Sequence, residues 1–79
     1  MAKGFQDERY RRLIDLLVTR RRELNVTQQA LADRLGMHQQ VVSRFETGER
    51  RLDAVELVDV AVALGLDPAD LIRSVPARS

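Results

Sequence analysis

The stretch from Gln28 to Gly48, QQALADRLGMHQQVVSRFETG, holds the side chains best suited to chemistry in this chain. His38, Gln39, Gln40, Ser43 and Arg44 cluster on one side of a short helical pattern, away from the apolar Val42 and Phe45. A glutamine amide pairs in bidentate fashion with adenine N6 and N7, an arginine guanidinium pairs likewise with guanine O6 and N7, and a serine hydroxyl bonds either way. No acidic residue joins this face before Glu46. A face meant only for solvation would carry Glu as often as Gln, and a carboxylate here would be repelled by phosphates. Outside a positioning motif the same glutamines would read as plain surface.

Other chemistries lack material. The chain has no cysteine, so disulfides and thiolate metal sites are excluded. A single histidine, His38, leaves no His-based metal cluster and no Ser-His-Asp triad. No acid and base at helical spacing point into a plausible cleft, and 79 residues offer little core for an interior pocket. The longest apolar run, Val60 to Leu66, is far short of the roughly 20 residues of a membrane span. The composition is that of a small soluble intracellular binding module that needs no cofactor and no metal. Its charge is lopsided. Residues 1–52 hold eleven basic and seven acidic residues, a net of +4, whereas residues 53–79 hold two and five, a net of −3. A basic half can approach a polyanion in one orientation, although a solvated mixed surface explains the charge alone equally well.

The elements that must position the polar cluster are helices. A stripe at Tyr10, Leu13, Ile14, Leu17 and Leu24 predicts a first helix over about 7–24, with Asn25 suited to a left-handed end. Thr27 is the N-cap of a second helix, Gln28 to Leu35, that Gly36 stops. A third helix runs over about Gln39–Thr47 behind a cap at His38, and Gly48 ends it. Asp53 and Glu56 form a capping-box pattern for a fourth helix to Leu64, and Asp67-Pro68 opens a short fifth. Hydrophobic staples recur at Val26/Leu31, Met37/Val42, Leu52/Leu57 and Leu66/Leu71. The expected architecture is all-α: one domain over 1–79, a compact five-helix bundle with its core at about 7–73. The N-terminal arm around Lys3-Gly4 and the tail after Arg73 are expected to fray.

Leu31, Ala32, Leu35, Met37, Val42 and Phe45, around a turn at Gly36, have the spacing of a helix-turn-helix. From about Leu17 to Ile72 the chain resembles the DNA-binding domain of the phage-repressor and Cro (XRE-like) family, in the lambda repressor-like fold. The resemblance rests on Arg21, Thr27-Gln28, Leu31-Ala32, Gly36 and Glu46-Thr47-Gly48. It implies that Gln28 contacts a phosphate and braces Gln39. It implies that Gln39, Gln40 and Arg44 read bases with Ser43 as helper, and that the backbone around Thr47 and Gly48, with Arg50 or Arg51, holds the phosphate chain. Arg21 and Glu46 match the positions of a partly buried ion pair. Three positions depart from the pattern: His38 replaces the usual Ser or Thr cap and can face DNA instead, Thr47 stands for Asn, and Ala30 replaces the Glu or Gln of a capping box.

In the Arg20-Arg21-Arg22 run only one residue can face inward; Arg21 is that residue, and Arg20 and Arg22 read as a solvated face. Val55, Val58 and Val62 exceed one buried stripe on the fourth helix and form either a dimer surface or part of a fully buried helix. The expected function is a sequence-specific transcriptional regulator, a repressor, binding double-stranded DNA as a homodimer on a pseudo-palindrome in a bacterial or phage cytoplasm. The rival is a protein-interaction module, such as an antitoxin, whose main partner is a toxin or another protein antagonist.

Overall fold

A computed structural model describes residues 7–78. The arm around Lys3-Gly4 lies outside the described residues. Five helices and no strand are present among those described: α1 (Glu8–Glu23), α2 (Gln28–Leu35), α3 (Gln39–Thr47), α4 (Ala54–Ala63) and α5 (Pro68–Arg73). Local chemistry accounts for most boundaries. Asp7, Thr27, Asp53 and Asp67 each accept a first-turn backbone N–H, satisfying donors that the helix cannot. Asp53 and Glu56 complete a reciprocal capping box. His38 caps α3 with no side-chain hydrogen bond.

The turn between α2 and α3 fixes the angle of the motif. Gly36 sits at φ +66°, and the Met37 N–H reaches back to the Ala32 carbonyl at 3.0 Å. A Cβ on Gly36 would meet nothing within 4 Å, so glycine is required by the left-handed backbone and not by space. Asn25 takes the same conformation after α1 at φ +57°.

The core draws on every helix. Ile14 and Leu17 of α1, Leu31 and Ala32 of α2, Val42 and Phe45 of α3, and Val60 and Ala61 of α4 are buried together, with Leu64 and Leu71 closing the far side. Phe45 is the largest fully buried side chain and anchors α3 from its inner face. Burying it contributes roughly 1.5–3 kcal/mol by transfer alone.

Two expectations are revised and one open alternative is narrowed. Arg20 is not simply solvated: its Nε donates to the Leu64 carbonyl at 3.0 Å, and Arg34 Nη1 donates to the Ala63 carbonyl at 3.2 Å. The last turn of α4 has no basic residue of its own, so arginines from α1 and α2 satisfy its terminal carbonyls. The tail after Arg73 is tied down as far as Arg78. Val75 packs on the core, Arg9 donates to the Pro76 carbonyl at 3.0 Å, and Arg78 pairs with Asp7 at 2.9 Å. Finally, α4 is not buried all round, because Val55, Val58 and Val62 are 71%, 44% and 63% exposed. They lie at i, i+3 and i+7, one outward stripe.

Candidate nucleic-acid interface

The polar cluster is organised by a chain of hydrogen bonds that starts at a charge. Arg21 is 8% exposed and lies at the end of α1. Its Nε and Nη2 donate to the two carboxylate oxygens of Glu46 at 2.7 and 3.0 Å, and its Nη1 donates to the Val26 carbonyl at 2.8 Å. This bidentate pair joins α1 to the end of α3. Glu46 Oε1 also accepts from Gln28 Nε2 at 2.8 Å, and Gln28 Oε1 accepts from Gln39 Nε2 at 2.6 Å. No buried side-chain nitrogen or oxygen among the described residues lacks a partner.

Polarity passes along this chain. A carboxylate only accepts, so Gln28 must turn its NH₂ to Glu46. Its carbonyl oxygen is then left for Gln39, which must answer with NH₂. Gln39 keeps one N–H and its Oε1, the donor and acceptor that a bidentate adenine contact uses. The network thus orients an amide whose two ends would otherwise be interchangeable.

The remaining residues of the cluster divide by exposure. Gln40, Arg44 and His38 are exposed, and Ser43 and Gln39 are half-buried. Gln40 and Arg44 make no side-chain hydrogen bond or ion pair to any described residue, so their donors and acceptors face outward. Thr47 is exposed, but its hydroxyl donates to the Arg44 carbonyl at 3.1 Å, so that proton is not offered to a phosphate.

Both loop arginines have partners within the protein. Arg50 makes two hydrogen bonds to the Glu56 carboxylate, the same group that accepts from the Asp53 N–H in the α4 capping box. The Arg50 guanidinium holds the Glu56 carboxyl below its ordinary range, with the Asp53 N–H adding to the effect. A phosphate contact by Arg50 would exchange with this partly exposed pair. Arg51 stacks over the Tyr10 ring, 4.0 Å from its centroid, and Tyr10 Oη accepts the Leu52 N–H at 3.0 Å. Sequence reading placed Tyr10 in the apolar stripe of α1 and missed this grip on the α3–α4 loop. A lone hydroxyl on an apolar stripe was the only available signal.

Among the described residues no three or more His, Cys, Asp or Glu side chains gather as a metal site, and no helix is long and apolar enough to cross a membrane. What the arrangement offers is a short polar helix, buttressed from within, whose outer groups match base edges.

A helix-turn-helix family profile matches residues 17–71, more than half of the chain. A solved structure, described as an XRE-family like protein from Pseudomonas syringae pv. tomato str. DC3000, is 43% identical, with 86% of this chain and 83% of that chain covered and a TM-score of 0.81. The chain belongs to the XRE family of helix-turn-helix proteins. No curated protein matches it. As an XRE-family protein it is a DNA-binding regulator, from a family that is not one of enzymes. The matched span begins at Leu17 and ends at Leu71, so it takes in Arg21, Glu46, Gln28 and Gln39 together.

Proposed function

We propose that this XRE-family protein is a sequence-specific transcriptional repressor in the cytoplasm of a bacterium or its phage, acting by occupancy of an operator. The carrying observation is the Gln28–Gln39 hydrogen bond, which holds one base-reading amide in a set orientation beside the outward-facing Gln40 and Arg44. Helix α3 enters the major groove with Gln39, Gln40 and Arg44 on bases, and with Ser43 and His38 at their flanks. The start of α2 at Gln28, the backbone at Thr47 and Gly48, and Arg50 or Arg51 set the register on phosphates.

One nine-residue helix reads too few base pairs to select a site in a genome. The protein therefore acts as a two-fold homodimer on a pseudo-palindrome with half-sites about 10–10.5 bp apart. The outward Val55, Val58 and Val62 stripe is the proposed dimer surface. The same stripe favours a second reading, in which a toxin or other protein antagonist docks there.

Selection from a library of random duplexes tests the proposal. An enriched dyad motif is expected, with affinity that falls steeply as salt rises. If no sequence is enriched, the chain is a protein-interaction module and the DNA reading is abandoned.

A further inference from the structure

Val41 stands on α3 directly after Gln40 and three residues before Arg44. It is half-buried, yet it is not one of the half-buried apolar side chains that pack against the core, as Leu35 and Met37 do. Helix α3 anchors itself inward through Val42 and Phe45 instead. Residues three apart on a helix are neighbours, so Val41 lies between the exposed His38 and Arg44. A β-branched residue is a mediocre helix former, and here it serves neither the core nor solvation. The major-groove edges of the four bases carry one apolar group, the C5-methyl of thymine.

We infer that Val41 is a further specificity-determining residue, which covers the C5-methyl of a thymine beside the base pair that Arg44 reads. This rests on the DNA-reading proposal. Arg44 supplies donors to one base, and Val41 adds apolar contact at the adjoining step. Methyl burial of this kind discriminates thymine from cytosine without any hydrogen bond.

The test uses the operator enriched by selection, remade with deoxyuridine in place of thymine at one position at a time. Each duplex is titrated with the wild-type protein and with Val41→Ala, whose folding is checked by thermal melting. One uridine position per half-site is expected to weaken wild-type binding about threefold, the value of one buried methyl. The same uridine should leave Val41→Ala binding unchanged, and a repeated selection with that variant should lose the thymine there while keeping the base read by Arg44. If no uridine position weakens wild-type binding, the inference is overturned without recourse to a variant, and the DNA reading survives. It is overturned equally if Val41→Ala keeps the uridine penalty. The absence of any enriched operator overturns both proposals.

Discussion

Gln28 Oε1 accepts a hydrogen bond from Gln39 Nε2 at 2.6 Å, and this bond ties the start of the second helix to the start of the third. Its direction is dictated by Glu46, eighteen residues beyond Gln28, because a carboxylate can take only the NH₂ end of the Gln28 amide. The ion pair with Arg21 fixes that carboxylate in turn. The amide proposed to read a base is thereby set by a charge under it.

Gln28→Ala is expected to relax base preference at the position read by Gln39, with little effect at the position read by Arg44. Glu46→Gln should do so too, because an amide at 46 can present either end to Gln28. Direct loss of Gln39 or Arg44 should cost about 1–3 kcal/mol at one position per half-site. Repeated selection with each variant checks this; unchanged preference in Gln28→Ala would remove the bracing role.

Breaking the buried pair from one side should cost stability heavily. Glu46→Ala strands Arg21 and is expected to cost about 3–5 kcal/mol. Replacing both partners, Arg21→Met with Glu46→Met, should recover most of that, since no uncompensated charge remains. Urea unfolding of the single and double variants measures the difference. A single-variant cost under about 1 kcal/mol would mean that water reaches the pair and screens it.

Acid should loosen the α3–α4 loop. Arg50 holds the Glu56 carboxyl below its ordinary value of about 4.3. A carboxyl lowered in the folded state stabilises above its unfolded value, and that stabilisation is lost as pH falls through the folded value. Asp7 behaves the same way, held low by Arg9 first and also by Arg78. Stability should therefore decline below about pH 4, and Glu56→Gln should flatten the decline. Unfolding curves between pH 3 and 6 decide it; identical slopes for wild type and variant would discount the pair.

His38 is the one N-cap among the five helices with no side-chain hydrogen bond, so His38→Ser should stabilise the fold by about 1 kcal/mol or less. If His38 flanks a base, the same substitution should alter operator preference. Thermal melting and a titration on the selected operator separate the two effects.

The outward valines of α4 should govern self-association. Val58→Asp should leave folding intact, because the residue is 44% exposed, and should turn the proposed dimer into a weakly binding monomer. Sedimentation analysis with and without operator reports the change; an unaltered association state would exclude α4 as the dimer surface.

Much of the architecture is local and was legible in the residue order. Asp7, Thr27, Asp53 and Asp67 cap N–H groups two or three residues ahead. Asn25, Gly36 and Gly48 end helices through their own backbone conformation. Helix boundaries and the helix-turn-helix follow from such short-range chemistry, because each signal and its partner lie within one turn.

Side-chain commitments across the bundle were not legible in this way. Arg20 finds the Leu64 carbonyl 44 residues away, Tyr10 the Leu52 N–H at 42, and Arg9 the Pro76 carbonyl at 67. Arg50 and Arg51, adjacent and alike on paper, part company because one meets a carboxylate and the other a ring. The chain order set which groups were present and which helices carried them. Only packing decided which arginines were spent inside the protein and which of its polar atoms were left facing outward, since a long flexible side chain takes whatever acceptor the tertiary fold brings within reach.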